Sequence, residues 1–283
     1  MNLFVFGLGF TGRRFAEAAR GRFDTIRGTV TEDEAARRIA AETGFTMRAF
    51  GPKAADPHIA ADLADSDALL VSVPPDAEGD PVLPHYAEAI AASRIGWIGY
   101  LSTIGVYGDQ GGAWIDETTP PAARSGRTRS RLVAEEAWLA LGARTGQAVQ
   151  VFRLSGIYGP GRNPIVKVRE GRSQRIVKKG QVFNRIHVDD IAGALRLLAG
   201  RSENAIVNVT DDEPAPPQDV VAFAAEIGGF DLPPEVDFES ADLTPMARSF
   251  YGENKRVRNQ RLKSLGYEFF FPTFREGLGA LKP

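Results

Sequence analysis

The most constraining feature of the chain is Gly7-Leu8-Gly9-Phe10-Thr11-Gly12, a G-x-G-x-x-G hexapeptide. It directly follows the apolar run Leu3–Phe6 and directly precedes the helically spaced segment Arg13–Arg20. Three glycines at this spacing serve a tight turn, a close backbone approach to a diphosphate, and close packing of a helix on a strand. The residues named as holding that diphosphate are Gly7, Gly9, Phe10, Thr11 and Gly12, whose amides open the helix.

The pattern behind the hexapeptide agrees with this reading. Apolar runs at Thr25–Val30, Thr46–Phe50, Ala68–Val73, Trp97–Ser102 and Gln150–Leu154 read as strands. Glu32–Glu42, Pro84–Ser93, Arg131–Ala143 and Asp189–Leu198 have helical spacing, and Ala205–Val209 adds a strand. Alternation of this kind predicts an α/β fold, a Rossmann-type doubly wound parallel sheet. After Val209 the pattern changes to Pro-rich and acidic loops with short helices, and residues 158–183 interrupt the alternation earlier. The expected division is a dinucleotide-binding domain, 1–157 and 184–210, and a smaller α+β substrate domain, 158–183 and 211–283.

Coenzyme type is read from the end of the second strand, where an acid about 20 residues beyond the glycines marks NAD. The strand closes Arg27-Gly28-Thr29-Val30-Thr31 without one. Glu32 falls in Thr31-Glu32-Asp33-Glu34, which fits a capping box and needs no ligand. With Thr29, Thr31, Arg13 and Arg27 at hand for a 2′-phosphate, NADP is preferred over NAD. Thr29 joins the coenzyme contacts, as do Ser72 and Val73, which end the fourth strand at the crevice.

Composition removes other classes. With 34 Lys and Arg against 36 Asp and Glu, the net charge is −2, so no global basic field gathers nucleic acid. There is no Cys, which excludes thiolate metal sites and a cysteine nucleophile, and three scattered His make no metal cluster. The first residues lack a basic leader region and no apolar run approaches a membrane span. A cytoplasmic protein without metal, nucleic-acid or membrane partners is the expectation, with homodimer formation open.

Later segments carry a resemblance. Leu101-Ser102-Thr103-Ile104-Gly105-Val106-Tyr107-Gly108, Asp116-Glu117-Thr118-Thr119-Pro120, Arg153 to Arg162, Ile186-His187-Val188-Asp189-Asp190 and Asn254-Lys255-Arg256 occur in the order found in the extended short-chain dehydrogenase/reductases, the NAD-dependent epimerase/dehydratase family. The chain resembles that family over nearly its whole length. The resemblance implies an N-terminal NAD(P) domain, a smaller substrate domain, and substrate in the cleft between them. It also implies a Ser or Thr after the fifth strand and a Tyr-x-x-x-Lys pair on the next helix. Thr103 occupies the Ser/Thr position. Counting back from Glu135, Arg131 stands at the Lys and Arg127 at the Tyr, so the pair reads Arg-x-x-x-Arg and the chain resembles an atypical branch. Phe6 also stands where the family's first glycine falls, and Gly156 where many members have Asn.

A guanidinium stays protonated, so Arg127 cannot replace a phenol as acid or base, whereas Arg131 can still hold ribose or phosphate. The catalytic candidates are therefore Thr103, to orient a substrate oxygen, and Tyr107 or water for the proton. Lys167 to Arg185 concentrates seven cations against Glu170 and could steer an anionic substrate, a nucleotide sugar or a relative. Three readings stay open: an NAD(P)-dependent oxidoreductase or epimerase-like enzyme on a small anionic substrate, a non-catalytic NAD(P)-binding sensor on the same fold, and a scaffold that binds no coenzyme.

Overall fold

In the computed structural model, which describes residues 1–52 and 54–282, seven parallel strands form one central sheet. They are β1 (Asn2–Phe6), β2 (Thr25–Val30), β3 (Thr46–Gly51), β4 (Ala68–Val71), β5 (Trp97–Thr103), β6 (Ala148–Leu154) and β7 (Ala205–Val209). Their order is β7-β6-β5-β4-β1-β2-β3, with the two-residue strand Ala54–Ala55 added antiparallel to β3. The chain winds outward from β1 to β3 and then returns to β4 on the other side of β1. This reversal is the topological switch point at which α/β sheets bind ligands. Every residue of β4 and β6 is buried, which is what the uninterrupted apolar runs of strands covered on both faces require.

The covering helices are α1 (Phe10–Ala18), α2 (Asp33–Thr43), α3 (Ile59–Ala64), α4 (Leu83–Ala91) and α5 (Gly126–Thr145). Helix α5 begins five residues earlier than its apolar spacing predicts, because Ser125 caps it by accepting from the Thr128 N–H at 3.1 Å. Helix α1 likewise starts at Phe10 rather than Arg13, since Gly9 serves as its N-cap. The core under α4 and α5 contains Phe6, Tyr100, Trp138 and Val151. Tyr100 stacks on Trp138, whose indole N–H donates to Asp80 at 2.8 Å.

Two compact units emerge. One comprises 1–103, 124–153 and 191–207; the other 104–123, 154–190 and 208–283. This differs from the division expected from the sequence, chiefly because residues 104–123 belong to the second unit. After β5 the chain enters a 3-10 turn, Ile104–Tyr107, and Trp114–Ile115 pairs in parallel with Arg256–Val257. Residues 184–190 also join the second unit, where Arg185–His187 pairs with Gly156–Tyr158. That unit closes its own core on Tyr158, Ile165, Val168, Val220, Ala224 and Phe274.

Among the described residues, no helix is long and apolar enough to cross a membrane.

Candidate functional site

The glycine loop is built by strand register. Phe6 of β1 lies opposite Val71 of β4, so Gly7 and Ser72 leave the sheet side by side, and the Ser72 N–H donates to the Phe6 carbonyl at 2.8 Å. Gly7 has φ +85°, and a Cβ there would stand 2.9 Å from Val73 Cγ1. A Cβ on Gly12 would stand 2.5 Å from the Gly7 carbonyl oxygen. These two glycines are required by packing. Gly9 differs, because a Cβ placed on it would meet nothing within 4 Å, and no side chain caps α1. The open face at Gly9, leading to the amides of Phe10, Thr11 and Gly12, is the shape that suits a diphosphate approaching the backbone. Ser72 and Val73 lie partly exposed at the adjoining strand end.

Thr29 acts on this loop from behind. It is buried, its hydroxyl accepts from the Gly7 N–H at 3.0 Å, and its carbonyl accepts from Leu8 at 2.7 Å. The side chain that the sequence suggests as a ligand contact thus braces the turn.

The observations behind an NADP preference change in the structure. Arg13 is held by Glu17 and Glu42, both at 2.9 Å, and those hydrogen bonds push its pKa up. Arg27 meets Asp65 at 2.8 Å and Asp62 at 3.5 Å. Both cations have carboxylates already. The capping box expected at residues 31–34 does not form either: α2 is N-capped by Glu32 with no side-chain cap hydrogen bond. Glu32, Asp33 and Glu34 are exposed just beyond β2, and Glu32 stands twenty residues after Gly12.

At the exit of β5, Thr103 is partly exposed. The residue before it enters a buried network: the Ser102 hydroxyl donates to Glu135, and Arg153 donates to the same carboxylate at 2.7 and 3.2 Å. Glu135 lies on α5 and Arg153 on β6, so one carboxylate ties together three neighbouring elements. One turn before Glu135, Arg131 donates to the Leu101 carbonyl at 2.7 Å and reaches the Tyr100 hydroxyl at 3.5 Å. Burial raises the Tyr100 pKa despite that cation. Sequence reading did not single out the Ser102–Glu135–Arg153 network, since its members lie far apart along the chain and each reads as an ordinary polar residue.

Tyr107, the other catalytic candidate, lies in the second unit. Its ring is fully buried and its hydroxyl donates to Asn208 Oδ1 at 2.8 Å. Asn208 in turn donates its backbone N–H to Glu117 at 2.8 Å. That is the setting of a packing residue, with the phenolic proton committed to a neutral amide. Tyr158 and His187 are buried in the same unit, their rings edge-on at 5.2 Å. His187 accepts the Asp189 N–H on Nδ1 at 3.2 Å, in keeping with a structural histidine.

The cationic run 167–185 is largely committed too. Arg172 pairs with Glu170, Arg175 with Glu235 at 3.1 Å, Lys178 donates to the Tyr251 carbonyl, and burial lowers the Arg185 pKa. Lys167, Arg169 and Lys179 stay exposed.

Comparison with known proteins adds the context of this geometry. A model of the NAD dependent epimerase/dehydratase family matches residues 85–210. Protein YeeZ of Escherichia coli (strain K12) is 28% identical over 281 residues, covering 95% of each chain. A conserved protein of unknown function from Silicibacter pomeroyi DSS has a solved structure that is 46% identical, with a TM-score of 0.88 over 99% of this chain and 97% of that one. The UDP-glucose 4-epimerase of Thermus thermophilus, solved with NAD, superposes with a TM-score of 0.76 at 20% identity, over 99% and 97% of the two chains.

Proposed function

We propose, from the match of a NAD dependent epimerase/dehydratase family model to residues 85–210, that the chain is a member of that family and an NAD-dependent oxidoreductase or epimerase-like enzyme acting on a small anionic substrate, a nucleotide sugar or a related compound. The observation that carries this is the open face at Gly9, flanked by two glycines whose hydrogens are required by packing. Gly9, Phe10, Thr11 and Gly12 would receive the coenzyme diphosphate, Ser72 and Val73 would border it, and Arg131 would hold the ribose end. When bound, NAD supplies the hydride acceptor or donor. A substrate hydroxyl held at this site would lose its proton to water. Thr103 orients the reacting oxygen. Water, rather than Tyr107, carries the proton, because Tyr107 is enclosed and hydrogen-bonded to Asn208.

NAD is favoured over NADP by Glu32. Its side chain makes no cap hydrogen bond, so its carboxylate would be available to accept from a ribose 2′-hydroxyl, and the neighbouring Asp33 and Glu34 would repel a 2′-phosphate. A sensor that binds NAD without turnover is the second reading, favoured by a guanidinium at position 127, which cannot exchange a proton.

The deciding experiment presents NAD and NADH with a panel of nucleotide sugars and their carbonyl derivatives and follows both the near-ultraviolet absorbance of NADH and, since epimerisation leaves no net NADH, conversion of each sugar by chromatography. Turnover of at least one compound, reduced by about 10²-fold in Thr103→Ala, supports the enzyme. NAD binding with no turnover of any compound supports the sensor.

A further inference from the structure

The contacts of Arg131 leave its guanidinium from a single nitrogen. Nη1 donates to the Leu101 carbonyl at 2.7 Å and reaches the Tyr100 hydroxyl at 3.5 Å, while Cζ stands 5.9 Å from the centre of the Tyr100 ring. Both oxygens belong to β5, just before Thr103. A guanidinium is a rigid planar fork, so two contacts on one nitrogen and a ring beside the carbon set the direction in which Nε and Nη2 point. Strand order decides which half of a coenzyme those donors meet. β2 and β5 lie on opposite sides of β1. With the diphosphate on the loop after β1 and the adenosine half toward Glu32 after β2, Arg131 falls on the nicotinamide side.

Tyr100 is in turn held from behind. Its ring is buried and stacks on the indole of Trp138, which follows Arg131 by about two turns on the same face of α5. The Trp138 N–H donates to Asp80 Oδ2 at 2.8 Å, and Asp80 Oδ1 accepts from the Val82 and Leu83 N–H groups at 2.9 and 3.0 Å, where α4 begins. A line of contacts runs from the start of α4 through two stacked rings to Arg131, which is partly exposed. Packing alone does not call for an oxygen at position 100. A phenylalanine would fill the same slot and stack on the same indole, and the hydroxyl is buried at a desolvation cost that raises its pKa. Arg131 is the side chain that this hydroxyl meets.

We propose that Tyr100, braced by Trp138 and Asp80, is a positioning residue that aims Arg131 at the ribose on the nicotinamide side of the coenzyme. The proposal deepens the coenzyme reading above and rests on its assignment of Arg131. Without the Tyr100 oxygen the guanidinium keeps its bond to Leu101 but turns about it, so the coenzyme has to order the remaining donors and binds more weakly. Tyr100 itself is enclosed by the core, so its effect on the coenzyme passes through Arg131.

The test is calorimetric titration of the protein with NAD and with ADP, which carries the adenosine and the diphosphate but no nicotinamide ribose. In Tyr100→Phe the expected result is NAD binding about three- to tenfold weaker, the range for one modest hydrogen bond, with ADP affinity and thermal midpoint equal to those of the parent. Arg131→Ala should show the same NAD-selective loss, and Tyr100→Phe combined with Arg131→Ala should bind NAD no more weakly than Arg131→Ala alone. Should Tyr100→Phe unfold, Trp138→Phe, which keeps a stacking ring and removes the bond to Asp80, carries the same expectation and the same contrary results. Unchanged NAD affinity in Tyr100→Phe, equal losses for NAD and ADP, or additive losses in the double variant each overturn the proposal while the coenzyme site stands. If the parent binds no NAD, or if Arg131→Ala binds it as the parent does, the assignment of Arg131 fails and the positioning role falls with it.

Discussion

Glu135 and Arg153 form a buried ion pair at 2.7 Å, only 1% and 3% of their surfaces reaching solvent, and the Ser102 hydroxyl donates to the same carboxylate. Buried pairs of this kind add little net stability over an apolar replacement, because desolvation offsets the attraction. Their value here is geometric: Ser102 precedes Thr103, and Glu135 lies one turn after Arg131.

Removing one partner should be severe. Glu135→Gln leaves the Arg153 charge buried without its counterion, and about 3–5 kcal/mol of unfolding free energy should be lost in urea titrations. The combined variant Glu135→Met, Arg153→Met, Ser102→Ala should recover to within about 1 kcal/mol of the parent. If that variant also keeps full coenzyme affinity and turnover, the network has no positioning role.

Two glycines of the loop should respond differently. Gly9→Ala projects into open space, so its thermal midpoint should change little, a cost below about 1 kcal/mol at an N-cap, while coenzyme affinity falls at least about tenfold. Gly12→Ala meets the Gly7 carbonyl and should destabilise the fold itself. Equal effects of the two on stability would mean that the face at Gly9 is not the coenzyme's approach.

Thr29→Val removes the acceptor of the Gly7 N–H inside a buried turn, which should lower stability by about 1–3 kcal/mol. Thr29→Ser, which restores the hydroxyl, should recover most of that loss and the accompanying loss of coenzyme affinity. Recovery of neither would show that the methyl group, not the hydroxyl, supports the loop.

Asp190 provides a pH signature in the second unit. Burial raises its pKa to about 6 against hydrogen bonds from Phe270, Tyr267 and Phe271, which favour the carboxylate. A carboxyl group with a raised folded pKa holds its proton better in the folded state, so its contribution is fully present below 3.8 and is lost as pH rises through about 6. The stability advantage of the parent over Asp190→Asn should therefore shrink between pH of about 4 and 7. A difference that stays constant or widens across that range contradicts this assignment.

The legibility of the chain followed the range of its interactions. The strands and the glycine turn depend on local patterns, an apolar run, a glycine, a helical face, and these are present in the sequence; β4 and β6 stand where their apolar runs place them. The start of α2 was obscured because Thr31-Glu32-Asp33-Glu34 satisfies a capping pattern that the helix does not use, and only the backbone shows that α2 starts at Asp33. The partners of Arg13 and Arg27 are similarly hidden: Glu42 and Asp65 are distant in sequence. Tyr107 reads as a reactive phenol until its hydrogen bond to Asn208, about a hundred residues on, is seen. Patterns within a few residues survive in a sequence, and pairings across a hundred do not.

The central claim, that the loop Gly7 to Gly12 receives NAD, is tested most directly by calorimetric titration of the protein with NAD and, separately, NADP. The account predicts one site per chain for NAD, with NADP bound at least about tenfold more weakly and the gap closing in Glu32→Ala. Absence of binding heat for both coenzymes at millimolar concentration would contradict it.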